Sequence, residues 1–509
     1  MRRLRPAIAL VLASGVELAC TAILGIGEPT LGEGGGGLGA GGVAGTGGEI
    51  SRGGSGPGGA GGQGGDAGGG PPTCDGCTGT VAWTRVFGLS GSTVGRAVVA
   101  GPDGSLFVAG ESNGSVDFDG TVWSPSGDGV SLVVAKLAID GDVVWSRRFT
   151  GAGPERVTGL ALAGDQLVMV GSFAQDLVLD GFGATAVAGD DAFVAWLDAA
   201  DGDPSRLEVA GGMGDQAFAG VAVQGDLVAA IGSFDGELVV GGHVTQALGG
   251  RDVMVVGLYP TATARVVFAS VASEDGQAIA ADGRGGFVVA GDYAGDLDIG
   301  GTLLTNDAQG EAFVARLGSD LSPLWAHQVG GNNDQHAAGV AVGPSGAVAV
   351  AGGLESELRV DGGEPLTALY GAQQWLTIFG PDGSLLHRAV FGELSGADVF
   401  GRTLRPAFDP SDGLLVLGGW FTGTATFGGA TLTSALDRGV PKDDWVAAKI
   451  AIDGTHFWSQ ALGDAADQRA VDLALLPSRE IVLVGEVVGG LNGASCPATA
   501  CLGVALLAP

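Results

Sequence analysis

The stretch VAWTRVFG, residues 81–88, alternates Val81, Trp83, Arg85 and Phe87 and stops at a glycine, the pattern of a β-strand. Close relatives recur as VVWSRRF (143–149), PLWAHQVG (323–330) and HFWSQALG (456–463). Each later copy follows an apolar strand and a tight turn. The first copy follows only CDGC and a glycine tract, so it is a last strand without the strands that should precede it.

The missing partners lie at the other end of the chain. An apolar strand ending in glycine recurs seven times, at Gly110, Gly171, Gly232, Gly291, Gly352, Gly418 and Gly485, with spacings of 61, 61, 59, 61, 66 and 67 read from those positions. A second anchor keeps the same beat: VVAKL (133–137), FVAWL (193–197), MVVGL (254–258), FVARL (313–317), WLTIF (375–379), VAAKI (446–450) and GVALL (503–507). Each unit reads as a strand such as GRAVVAG (95–101), an Asp-Gly turn, the two anchor strands, a second turn and a Trp-type strand. The seventh unit ends at Pro509 before its Trp-type strand.

Four-stranded antiparallel units in this number predict an all-β, seven-bladed β-propeller over 73–509. Its blades are expected at about 94–149, 157–210, 217–270, 276–329, 337–391, 399–462 and 470–508, the last completed by 81–88. The ring then closes with Val81–Phe87 antiparallel to about Gly503–Leu507. The run Gly-x-Ala-Val-Ala, Asp-Gly, Phe-Val-Ala-Gly, Phe-Val-Ala-Lys-Leu, Trp resembles the bacterial seven-bladed β-propeller repeat (SBBP-type) family. That resemblance covers residues 81–509 and implies an exported repeat protein, usually of unknown ligand.

Upstream, MRRLRP is basic, 7–16 are apolar and ELAC follows, an export signal over 1–20 whose apolar run is too short to span a bilayer. LAC at 18–20 resembles a bacterial lipobox with Cys20 as the acylated residue, although Glu17 departs from that pattern. The expected location is the cell surface or outer membrane, with secretion as the alternative. Residues 21–72 are dominated by glycine without apolar periodicity, and read as a flexible tether spanning about 35–40 Å.

The four remaining cysteines, Cys74, Cys77, Cys496 and Cys501, suit disulfides outside the cytoplasm. Local pairs Cys74–Cys77 and Cys496–Cys501 are favoured over a cross-link, because Cys501 falls at the far end of its strand from Cys77. A formal net charge of −32 repels phosphate backbones, which excludes nucleic acid as a natural partner and leaves the membrane reachable only through a lipid.

Candidate sites are sparse. Glu155, Asp215, Asp275, Asp334 and Asp467, with Asp398 as a sixth, recur before the first strand of each unit. Their spacing predicts equivalent positions around the ring. They read as turn carboxylates accepting backbone N–H groups, with cation binding as the functional alternative. No cofactor is expected, with calcium as the alternative; AIDGD (138–142) and DAADGD (198–203) fit hairpin turns and not an EF-hand. Trp83, Trp145, Trp325 and Trp458 share one position and are expected to pack between units. No catalytic motif emerges from His243, His327, His336, His387 and His456, which lack zinc spacing. The expectation is therefore an exported, lipid-anchored binding or scaffold protein for an extracellular protein or carbohydrate. The alternative is an enzyme, a polysaccharide hydrolase or lyase, with its site at the channel mouth.

Overall fold

The anchor glycines explain the local architecture. A Cβ on Gly110, Gly171, Gly232, Gly291, Gly352 or Gly485 would sit 1.8–2.2 Å from a backbone carbonyl oxygen of the strand beside it (those of Val94, Arg156, Ala217, Asp275, His336 and Arg469). Backbone cannot yield to such a contact, so glycine recurs wherever the first two strands of a unit approach. The computed structural model describes residues 74, 76–125, 129–258, 264–306, 310–367, 373–392 and 404–509. The export signal, Cys20, the tether and Asp398 lie outside the described residues.

The described residues form an all-β propeller. The innermost strands are Thr93–Ala100, Glu155–Ala163, Gln216–Gln224, Glu274–Ala281, Gln335–Val342, Arg405–Phe408 and Gln468–Leu475. Each contacts the next in that order, and the last returns to the first. Each begins an antiparallel ladder of four strands running outward. The ladders do not all stand as separate sheets. Thr150 and Gly151 pair with Val178 and Leu177, which merges the first two units into one eight-stranded sheet. Val329 and Gly330 pair with Val360 and Arg359, which extends the fourth unit to six strands.

Val81–Phe87 pairs antiparallel with the C-terminal strand Cys501–Leu507, with Thr84 opposite Ala505 and Phe87 opposite Leu502. The Ala508 N–H donates to the Thr80 carbonyl at 2.8 Å, and the Thr78 N–H to that of Pro509 at 2.8 Å. Phe87 reaches beyond its own ladder to Phe118 of the first unit, ring centroids 4.9 Å apart. The segments between second and third strands, such as 112–129, add a small hairpin in most units, for example Val116–Phe118 with Thr121–Trp123. In the second unit the two strands themselves lengthen, to Gln166–Leu179 and Phe182–Asp198.

The core lies between neighbouring ladders. Trp83, Trp145, Trp325 and Trp458 each lie against a turn glycine of the following unit: Gly141, Gly202, Gly383 and Gly79. Each of those glycines has positive φ, which glycine adopts without strain. The Trp83 indole N–H donates to the Ile139 carbonyl at 2.9 Å, and that of Trp145 to Ala199 at 3.3 Å. Within a ladder the Trp faces a cation: Trp145 opposes Lys136, Trp325 opposes Arg316 and Trp458 opposes Lys449. The second unit swaps the pair, with Arg206 over Trp196 at 4.5 Å.

Two expectations need correction. In the sixth unit Gly419, not Gly418, occupies the anchor column, because Gly419 opposes Val446 as Gly171 opposes Phe193. The five recurring acids are also not equivalent. Asp215, Asp334 and Asp467 share one column, each lending its backbone carbonyl to the N–H that follows the second strand. Glu155 lies in the next column, with Gln216, Glu274, Gln335 and Gln468. Asp275 falls one residue further, opposite Asp292. Turn and connection lengths differ between units by a residue or two, so raw spacing near 60 hides these offsets.

Candidate functional site in the axial channel

Six of the innermost strands carry a β-bulge at the same place. The register shifts between Gly95 and Ala97, Val157 and Gly159, Phe218 and Gly220, Gly276 and Ala278, Ala337 and Gly339, and Ala470 and Asp472. The residue skipped in each is Arg96, Thr158, Ala219, Gln277, Ala338 or Val471. A bulge leaves one residue unpaired and re-aims its side chain, and bulges concentrate beside functional sites. Here the bulges put a ring of unlike residues around the axis.

Immediately after the bulge comes a column of small residues: Ala97, Gly159, Gly220, Ala278 and Gly339. It is interrupted in the last two units, where Arg405 and Asp472 stand in the same column by their pairing with Gly418 and Val484. One cavity of about 210 Å³ runs along these positions and is lined by residues from every innermost strand. The Arg405 guanidinium donates through Nε to the Val471 carbonyl at 3.2 Å and through Nη1 to the Ala338 carbonyl. It thereby satisfies bulge carbonyls of both neighbouring units. Asp472 accepts the Val98 N–H at 2.9 Å. Burial pushes its carboxyl up, and the adjacent Arg405 charge acts in the opposite direction.

A cavity of about 320 Å³ opens outward from the bulge ring, lined among others by Arg96, Arg156, Arg405, Glu111, Thr158 and Gln277. Three guanidiniums therefore share it with one carboxylate. Arg96 reaches Glu111 at 3.1 Å. Arg156 is exposed and has no side-chain partner among the described residues. The Thr158 hydroxyl donates to the Phe218 carbonyl at 2.7 Å, and the Gln277 amide to Asp292 at 3.3 Å. Asp292 also accepts the Ala337 N–H at 2.7 Å and lies 3.3 Å from His336 Nδ1.

The expected acids take other roles. Asp215 accepts the Asp190 N–H at 3.0 Å and Asp467 the Asp443 N–H at 3.3 Å, as turn carboxylates do. Asp275 pairs with Arg251 at 3.2 Å beside the channel mouth. The Asp334 carbonyl accepts the Glu355 N–H at 3.2 Å. Glu155 is fully buried, with neither carboxylate oxygen partnered among the described residues, and desolvation pushes it up to about 8. The disulfides are Cys74–Cys77 and Cys496–Cys501. Cys74, Cys77 and Asp412 form one grouping of metal-type donors among the described residues, but sulfurs joined in a disulfide are not thiolate ligands. AIDGD and DAADGD are hairpin turns whose Asp142 and Asp203 reach Arg85 and Arg147 of the preceding unit.

Sequence reasoning missed the bulge ring because it sought residues that repeat. The signal was the x of Gly-x-Ala-Val-Ala, a position whose chemistry changes from unit to unit while the small residue after it mostly does not.

No family model matches the sequence, and no curated protein is significantly similar to it. Among solved structures it is similar to the Dos1 propeller, at 10% identity over 84% of this chain and 95% of that one, with a TM-score of 0.40. The quinohemoprotein alcohol dehydrogenase from Comamonas testosteroni has 10% identity over 84% and 76%, with a TM-score of 0.39. Sqt1 from Chaetomium thermophilum has 11% identity over 84% and 98%, with a TM-score of 0.37. Likenesses at this level carry no functional argument.

Proposed function

We infer that this chain is an exported seven-bladed β-propeller of the SBBP type, anchored through Cys20, that binds a ligand at one mouth of its axial channel. The observation that carries the binding reading is the bulge ring. A scaffold working only through outer loops needs no unlike residues at the bulges, yet Arg96, Thr158 and Gln277 stand there beside alanines in sibling units. The cyclic contact of the innermost strands supports the blade count. The N-terminal signal and the lipobox-like LAC at 18–20 support export and anchoring. The ligand would be an extracellular carbohydrate or part of a protein. Calcium has a weaker case, because the acids expected to share a ring fall in different columns.

The enzyme alternative has one observation in its favour. His336 Nε2 is buried without a partner among the described residues, while Nδ1 faces Asp292. An oriented imidazole is a common general base. Among the described residues no side chain bonds Nε2, and the nearby Asp275 is paired with Arg251, so binding is the better reading.

The test is a glycan and peptide binding screen with the native chain and with Gln277→Ala. Loss of a bound probe in the variant supports a site at the mouth. Binding that ignores Gln277→Ala but fails after changes in the outer hairpins, such as 436–441, points to the loops instead.

A further inference from the structure

We propose that the axial cavity bounded by Arg96, Arg156 and Arg405 is an oxyanion site, taking the carboxylate of an acidic saccharide or a phosphate group. This rests on the channel-mouth reading above and names the ligand class. The chain carries 24 Lys and Arg against 56 Asp and Glu. Three of those few cations line one cavity, with Glu111 the one carboxylate among the described residues that line it. The neighbouring cavity further out has the opposite balance, with Asp190, Asp215 and Asp275 against Arg156 and Arg251. An excess of cations over carboxylates thus belongs to this cavity and not to the mouth in general.

The three guanidiniums are held differently, and the differences suit an anion. Arg405 donates to two carbonyls that fix its place, with the Asp472 carboxyl beside it. Arg96 is steadied by Glu111, and Arg156 has no side-chain partner among the described residues. Guanidinium forks match the planar geometry of carboxylates and phosphates and bind them bidentately. The cavity, about 320 Å³, suits a group of monosaccharide size. An acidic surface around a small basic well also discriminates: long polyanions such as nucleic acid are repelled, and an anion short enough to enter the channel reaches the arginines.

Isothermal titration of the full chain at low salt tests this with three probes: inorganic phosphate, trigalacturonate and neutral galactotriose. Arg156→Ala and Arg96→Ala are the test variants. Arg438→Ala, on an outer hairpin and 93% exposed, is the control. Arg156 is exposed and unpaired, so its removal leaves the fold intact, which circular dichroism verifies. The expected result is saturable binding of an anionic probe that weakens at least tenfold in both test variants and not in the control. Binding of trigalacturonate alone assigns the carboxylate source; binding of phosphate as well assigns a general oxyanion site. Anion binding that is unchanged in Arg96→Ala and Arg156→Ala overturns the proposal. Galactotriose binding lost in Gln277→Ala, with no anion bound, overturns the anion class but leaves the channel-mouth reading standing. Failure of every probe counts against both.

Discussion

Glu155 occupies a column in which sibling units place Gln216, Gln335 and Gln468. Those amides donate to carbonyls beyond the second strand, as Gln216 does to Glu237 at 3.0 Å and Gln468 to Val488 at 3.0 Å. A carboxylate cannot donate such a bond, and burial at this position favours the protonated form of Glu155. Its pKa is pushed from 4.5 up to about 8, and that of Asp444 from 3.8 up to about 6, both by burial. A raised carboxyl contributes stability that is fully present below its unfolded pKa and lost as pH rises through its folded pKa. Thermal unfolding should therefore show stability falling from about pH 5 to pH 8. Glu155→Gln should flatten that slope and stabilise the protein at pH 8 by on the order of 1–2 kcal/mol. An unchanged pH profile in the variant would mean that Glu155 is solvated in solution.

The buried Lys449 makes the opposite case. Its ammonium lies 2.8 Å from Asp409 and 3.3 Å from Asp412, with Arg479 completing the network. Asp409 and Lys449 are both fully buried, and these partners hold the Asp409 carboxyl well below the usual range. Lys449→Ala should cost about 3 kcal/mol in chemical denaturation, because it leaves the buried Asp409 carboxylate with Arg479 as its one cation.

Among elements, the repeating strand was legible in the sequence and its bulge was not. Alternation, Asp-Gly turns and anchor glycines each leave a local signature. The anchor has a backbone cause: a Cβ on Gly352 would meet the His336 carbonyl at 1.8 Å. Gly352→Ala should therefore destabilise by about 2 kcal/mol or more, whereas Gly362→Ala, in a turn with open space, should cost only its positive φ, about 1 kcal/mol. Equal losses at the two sites in urea titrations would remove the close-approach account. A bulge adds one residue to a strand without changing residue type, so it shows only when partner strands are aligned pair by pair. Unequal turns and connections hid that Glu155 and Asp275 are not equivalent to Asp215. The Trp position survived such offsets because its contact, a turn glycine of the next unit, repeats with it.

For the whole molecule, the chain ends carry the argument. Without Val81–Phe87 the strand Cys501–Leu507 would present an unpaired edge, which favours association between chains. Removing residues 74–88 should lower the melting temperature and produce concentration-dependent aggregation, read by light scattering. A monomeric shortened chain with unchanged melting would show that the closing strand is dispensable. The same closure seats Phe87 on the first unit, so it fixes the channel on which the oxyanion proposal depends.

A crystal structure of the protein tests the central claim most directly. The account predicts Thr84 opposite Ala505 and seven innermost strands around one channel, with Arg96 and Arg156 facing its mouth. Residues 81–87 unpaired or placed on another strand, or a different number of innermost strands, would contradict it.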